Sequence, residues 1–265
     1  MWFPRLSGAG YHTTKINYML MKKIKTALKK NLSDFVSGKV LLIAGILCGM
    51  VLIMFSSISA CASDQSDWRQ LFNGKDLTGW KHAGPGFMSV ENGLLRGNRG
   101  RGLLYWEGEK FSNCVIKVVW KMRDENSNSG IFIRMPVEPR EEWMPVHYGY
   151  EVQIDNKPEL SKEDDYHYTG TLYSLTKPLA KPGKPGPQWN TTEITLDGLR
   201  TIVYVNGVKV TDFTEGDPVP DRKFDFEPFR GPRPESGYIG VQNHGEADVV
   251  YFKEISVKPL VKTAK

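Results

Sequence analysis

Cysteine is nearly absent from this chain: Cys48, Cys61 and Cys114 are the only three in 265 residues. The first lies inside a long apolar run and the second ends it, so the region beyond residue 61 holds Cys114 alone and can close no disulfide within itself. Cys114 stands in Asn113-Cys114-Val115-Ile116, where a lone thiol reads as a small buried hydrophobe rather than a nucleophile. Helical patterning is missing too. Beyond Trp68 no stretch of ten or more residues carries an apolar stripe at helical spacing, which excludes a helical bundle. There is no internal repeat and no sign of a second domain. An excess of one charge is also lacking. The chain has 35 Lys/Arg and 30 Asp/Glu, but residues 1–61 take eight of the bases and only Asp34 of the acids. Residues 62–265 keep 27 basic and 29 acidic side chains and are close to neutral. The basic pI belongs to the N-terminal segment, so nucleic-acid binding, which needs a basic patch on the folded domain, is excluded.

The N-terminal segment carries its own message. Lys22, Lys23, Lys25, Lys29, Lys30 and Lys39 precede an apolar run from Val40 to Ala60, the charge-then-hydrophobic order of an export signal. The positive end stays in the cytoplasm. Ile58-Ser59-Ala60-Cys61 resembles the lipobox of bacterial lipoproteins, in which the cysteine is lipidated and becomes the new N-terminus. The alternative is an uncleaved membrane helix, since roughly 20 apolar residues can span a bilayer. Both place the rest of the chain outside the cytoplasm. The expectation is a lipid-anchored protein of the bacterial cell envelope, held to the membrane through Cys61. Residues 1–61 would be extension and signal peptide, 62–67 a tether and 68–260 one folded domain.

From Trp68 onward, short alternating segments are separated by Gly, Pro, Asn and Asp, the signature of an all-β sandwich or barrel. The clearest strands are 114–122, 130–134, 150–154, 192–196, 200–205, 208–213, 237–242 and 249–257. Asp197-Gly198 and Asn206-Gly207 join successive strands, and both dipeptides accept the positive φ of tight hairpins. The stretches 156–168, 177–188 and 217–236 are too long and polar to be turns. The second is a Lys/Pro/Gly run that cannot supply sheet hydrogen bonds.

Sorting strands into their two faces locates the candidate chemistry. Glu151, Gln153 and Asp155 share one face of their strand, Phe132 and Arg134 one face of theirs, and Tyr238, Gly240, Gln242 and His244 one face of a third. An outer face of Arg, Glu, Gln, Asp and His with aromatics beside it suits a hydroxyl-rich ligand. Gly130, Gly149 and Gly240 lie in or beside these strands, where glycine weakens a sheet and often marks close approach. Glu151 and Asp155 are roughly 13 Å apart at about 3.4 Å per residue, too far for a conventional two-carboxylate glycosidase. One base plus one acid fits better. His244 is the attractive base because imidazole titrates near neutral pH. His147 and His167 flank the Glu151 strand, and with Glu151 or Asp155 they would allow a divalent metal site, although no ligand spacing demands one and no cofactor is expected.

Leu71-Phe72-Asn73-Gly74-Lys75-Asp76-Leu77-Thr78-Gly79-Trp80, Asn128-Ser129-Gly130-Ile131, Glu151-Val152-Gln153-Ile154-Asp155, Gly170-Thr171-Leu172-Tyr173, Trp189-Asn190, Val205-Asn206-Gly207 and Gln242-Asn243-His244-Gly245 together resemble the 3-keto-disaccharide hydrolase domain family. The resemblance runs in order from about Trp68 to Leu260. It implies a concanavalin-like jelly-roll sandwich acting on a small carbohydrate already oxidised at carbon 3. A 3-keto group acidifies the proton on carbon 2, so a base can remove it and the aglycone can leave from carbon 1, with water added afterwards. Such chemistry implies His244 or Glu151 as base, Asp155 or a loop acid such as Glu163, Asp164 or Asp165 as donor, and Arg134 with Gln153 as stabilisers of the enolate. Gln242, Tyr173 and His147 would complete the sugar contacts. Where members of the family often carry Glu in the strand before Asn-Ser-Gly, this chain has Val119. The rival expectation is a non-catalytic carbohydrate-binding lipoprotein using the same face, and a third is a purely structural envelope protein.

Overall fold

The computed structural model describes residues 67–157 and 165–261, with 22–23 and 25–26. The Val40–Ala60 run, Cys61, most of the tether, Glu163 and Asp164 lie outside the described residues. The chain divides into two units, Met1–Gln65 and Ser66–Lys265, and all the described strands lie in the second.

Among the described residues the strands are β1 (Arg69–Gln70), β2 (Trp80–Ala83), β3 (Met88–Glu91), β4 (Leu94–Gly97), β5 (Gly102–Trp106), β6 (Cys114–Met122), β7 (Ser129–Met135), β8 (Tyr150–Ile154), β9 (Asn190–Asp197), β10 (Arg200–Val205), β11 (Val208–Thr214), β12 (Tyr238–Asn243) and β13 (Val250–Pro259). A short helix, Met144–Tyr148, precedes β8. The strands form two antiparallel sheets, ordered β11-β10-β9-β6-β13-β4-β3, with β1 on β13, and β2-β5-β12-β7-β8. The fold is the expected β-sandwich.

Strict alternation along β6 shows why. Cys114, Ile116, Val118, Trp120 and Met122 are buried while the residues between them are half-buried. The buried set packs on Ile131, Ile133, Val152, Ile154, Ile239 and Val241 from the smaller sheet. Trp120 meets its one polar need inside this core, donating its indole N–H to Thr192 Oγ1 at 2.9 Å. Burial pushes the Cys114 thiol up to about 11, so it stays protonated. Val119 is on the opposite, outward side of β6, facing away from the core. The hairpins follow their turn residues: Gly198 has φ +56, and Asn206 and Gly207 have +50 and +80, the two positive angles of a type I′ turn.

Arg134 departs from the expected alternation. Tyr238 pairs with Met135 and Gly240 with Phe132, so Ile133 and Arg134 together stand opposite Ile239. This bulge gives Arg134 a φ of +54 and takes its side chain out of the row it should share with Phe132. The guanidinium is fully buried. It donates to the carbonyls of Gly198 (2.8 Å), Arg200 (3.0 Å), Pro234 (3.1 Å) and Glu235 (3.1 Å), and to Thr201 Oγ1 (3.1 Å). Arg134 therefore staples the smaller sheet to the β9–β10 turn of the larger one, and the expectation that it contacts ligand is corrected. Arg134→Ala would strip the donor from these carbonyls, and we expect it to destabilise the domain by about 3 kcal/mol or more, read as a lowered urea midpoint.

Candidate active site

The outer face of the smaller sheet is only partly a binding face. Ala83, Leu103, Tyr105, Phe132, Met135 and Val146 form a second apolar cluster there, with Trp143, Tyr173 and Tyr238 against it. Beside this cluster lies a pocket of about 580 Å³ whose lining includes Glu151, Gln153, Gln242 and His244. Strand β8 provides the floor. Its outer edge is closed by residues 169–173: Gln153 N–H donates to Thr171 O (3.0 Å), Gly170 N–H to Gln153 O (2.9 Å) and Tyr173 N–H to Glu151 O (2.9 Å). That strap protects an otherwise bare edge and brings the half-buried Tyr173 to the pocket wall.

Glu151 is buried. Desolvation pushes its carboxyl up to about 8, opposed by Arg101 and by a hydrogen bond from Gln242. At neutral pH it is held mainly as the neutral acid, able to donate. Its position depends on Gly130 in the neighbouring strand, because a Cβ there would fall on the Glu151 carboxyl group. Gly130 thus fits the expectation of close approach, although the group approaching is a side chain of the protein. Gly240 and Gly149 answer to packing instead, the first against Leu104 and Leu103 of β5, the second against Met135 and the Pro145 carbonyl. Two buried amide oxygens of pocket-lining residues, Gln242 Oε1 and Asn128 Oδ1, have no hydrogen-bond partner among the described residues. Buried acceptors of this kind call for donors from elsewhere, and sugar hydroxyls are donors.

Opposite the acid stands a histidine with an orienting carboxylate. His244 Nδ1 lies 2.7 Å from Asp248 Oδ2, and Asp248 Oδ1 accepts the Asn128 backbone N–H at 2.8 Å. With Nδ1–H donated to Asp248, Nε2 is the acceptor, the tautomer a general base requires. Sequence reading missed Asp248, which follows the strand within a turn; a histidine with an acid four residues on, Asn-His-Gly-Glu-Ala-Asp, was the available signal. Asp155 is occupied otherwise. Its carboxylate accepts Asn128 Nδ2 (3.2 Å) and Lys157 N–H (2.8 Å), fixing the Asn128 amide.

The guanidinium of the pocket, whose lining also includes the basic Lys157, is that of Arg101, from the loop before β5, not Arg134. It lies 4.5 Å from the Trp143 ring centroid, and its Nε donates to the His244 carbonyl at 3.3 Å. Its loop is held by Asn243, whose amide donates to the Gly100 carbonyl at 2.6 Å. Trp143 stands at the start of the short helix, which Arg233 ties to the 217–236 loop by donating to the carbonyls of His147 (3.0 Å), Gly149 (3.0 Å) and Phe229 (2.7 Å). His147 lies behind Trp143, with ring centroids 6.0 Å apart, and its Nε2 is 3.1 Å from the Asp225 carbonyl. It braces the loop and is not among the pocket-lining residues, which corrects its expected sugar contact. Asp165 pairs with Lys181 at 2.6 Å on the surface. Among the described residues no three His, Cys, Asp or Glu side chains gather as a metal site needs; His147, His167 and Glu151 are not brought together. His167 does reach the pocket, 4.8 Å from the Tyr173 ring.

The chain matches the 3-keto-alpha-glucoside-1,2-lyase-like domain family over residues 67–258. Among solved structures it is similar to a candidate glycosyl hydrolase from Parabacteroides distasonis ATCC 8503, at 27% identity and TM-score 0.60, over 73% of this chain and 94% of that one. A second such protein from the same bacterium aligns at 23% identity and TM-score 0.59, over 73% and 99%. A Bacillus subtilis protein of unknown function with a galectin-like fold aligns at 12% identity and TM-score 0.52, over 74% and 96%. The last two share the fold. No curated protein matches the chain.

Burial of Glu151 also has a consequence for stability. Its carboxyl is raised from 4.5 to about 8, so between those values the native state holds a proton that the unfolded chain has released. The stability it contributes therefore falls as pH rises from about 4.5 to about 8. Glu151→Gln removes that dependence. Thermal melts should show the variant gaining on the parent protein as pH increases, by several degrees at pH 8; parallel curves would contradict the burial effect.

Proposed function

The chain belongs to the 3-keto-alpha-glucoside-1,2-lyase-like domain family, and from that membership and the chemistry of the pocket we propose that it cleaves the glycosidic bond of 3-keto-glycosides by elimination. The observation that carries the reading is the presence in one pocket of a buried Glu151, whose carboxyl desolvation pushes up to about 8, and an Asp248-oriented His244. A proton donor and an imidazole held in orientation by a carboxylate, in one pocket, are the two groups an elimination needs.

His244 Nε2 takes the proton from carbon 2, and the electron pair of that bond moves into a carbon 2–carbon 3 double bond, leaving negative charge on the former keto oxygen. Arg101 and the Gln242 amide N–H, both close to Glu151 in the pocket, stabilise that oxygen. When the enolate collapses, the ketone re-forms, a carbon 1–carbon 2 double bond appears and the carbon 1–oxygen bond breaks. Glu151 protonates the departing alcohol. Water adding at carbon 1 gives the free 3-keto sugar, with the proton on His244 returning to carbon 2 and Glu151 regaining its own. Gln242 and Asn128, both lining the pocket, are the polar side chains that would meet hydroxyl groups of the sugar ring. Asp155 acts through Asn128 as a positioning residue.

The same proposal places the domain at the bacterial cell envelope, carried by a lipid on Cys61; Cys61→Ser should move the protein from the membrane to the soluble fraction.

The decisive assay is release of a chromogenic aglycone from a 3-keto-glucoside beside its unoxidised parent. Turnover of the keto compound alone supports elimination. Binding of the keto compound without turnover would replace the enzyme by a sugar-binding module. We expect His244→Ala to lower kcat by 10²-fold or more, within the usual range for a general base, while the affinity for the unoxidised glucoside is kept. Activity should also decline as pH rises through about 8, when Glu151 gives up its proton; in Glu151→Gln the residual rate should lose that alkaline limb.

A further inference from the structure

The pocket has two chemically different halves. The floor is polar and buried: Glu151, Gln153 and Gln242 are each under a tenth exposed. The mouth is aromatic, with Phe226 reaching the lining from the 217–236 loop while remaining 37% exposed. Phe226 is stacked on Phe224, ring centroids 5.0 Å apart and planes 9° from parallel. Phe224 is 47% exposed and does not line the pocket, so it backs one face of Phe226 and leaves the other toward the cavity. Two large apolar rings held in solvent are unfavourable unless something covers them.

The loop that presents them is built to stay in place. Glu227, the neighbour of Phe226, is buried. Its carboxylate accepts the Lys223 N–H at 2.9 Å and Arg230 Nη2 at 3.0 Å. Arg230 also donates to the carbonyls of Pro220 (2.8 Å), Pro228 (2.7 Å) and Ser174 (3.3 Å), the last immediately after the strap beside β8. An ion pair with its carboxylate buried inside the loop fixes the flanking rings, and a fixed ring loses little entropy on meeting a ligand.

We propose that Phe226, backed by Phe224, is the platform for the leaving group, and that it selects glycosides whose aglycone presents a flat apolar face, an aromatic ring above all. This rests on the elimination reading above. The sugar ring, rich in hydroxyls, belongs on the polar floor, and the aglycone attached at carbon 1 then projects to the mouth where Phe226 stands. Ring-on-ring contact contributes about 0.5–1.5 kcal/mol beyond burial, which converts to roughly two- to tenfold in affinity.

The test uses the full-length protein and two substrates, benzyl and methyl 3-keto-glucoside, whose leaving alcohols are of similar acidity, so that the difference reports the subsite and not the bond broken. The benzyl compound should show a kcat/KM several-fold higher, carried by KM. Phe226→Ala should bring the benzyl-to-methyl ratio close to one, Phe226→Tyr should restore it, and Phe224→Ala should reduce it in part. Calorimetric binding of the unoxidised benzyl and methyl glucosides gives the same comparison without chemistry. Equal values for the two compounds in the parent protein, or a ratio that Phe226→Ala leaves unchanged, overturns the platform. Absence of turnover together with preferential benzyl binding that Phe226→Ala abolishes would overturn the elimination reading and keep the platform.

Discussion

A β-strand can give only every second side chain to a core, and the arrangement of this domain depends on how that constraint is met in β7, β8 and β12. Ile131, Ile133, Val152, Ile154, Ile239 and Val241 point toward the larger sheet, which obliges Phe132, Glu151, Gln153 and Gln242 to point away. That second face is too mixed to be a second core throughout and too apolar to be left in water. One part is covered by an apolar cluster and the other becomes a cavity. Burial of the site is therefore a by-product of covering the sheet, and burial is what sets the acidity of Glu151.

The two carboxyls of β8 and its end illustrate how environment assigns roles. Glu151 receives one amide hydrogen bond and is otherwise desolvated. Asp155 is surrounded by donors, among them Asn128 and the Lys157 N–H. The first is left available to a ligand, while the second is committed to holding the protein's own side chain. Spacing along the strand places both on one face, but only their neighbours distinguish a desolvated carboxyl from a hydrogen-bonded one.

Those neighbours mark the limit of what could be read from residues alone. Strands β6, β8 and β10 are legible to the residue because their apolar positions alternate and polar or glycine-bearing segments bound them. Strands β1 to β5 are not, since they run only two to five residues. Moreover, Leu103, Leu104 and Tyr105 are buried on both faces, which erases the alternation. Glu151, Gln153, Gln242 and His244 reach the pocket as strand geometry requires. Arg134 does not, because a single extra residue in β7 turns it inward, and nothing in Ile-Phe-Ile-Arg-Met announces a bulge. Arg101, Trp143 and Phe226 come from loops and a helix end, where no period links position to direction. Asp248 lies in a turn as well, legible only to someone already looking for the partner of His244.

Gly130 and Glu151 share one volume, since a methyl group on the first would stand where the second keeps its carboxyl. Their histories are consequently tied. With any larger residue at 130 the Glu151 carboxyl would have to leave its present position. A descendant that loses the acid is then released to fill position 130, and once it has done so the acid cannot simply return. Loss of the acid would be easy to begin and hard to reverse, and would show in the residue at 130 as much as in the one at 151.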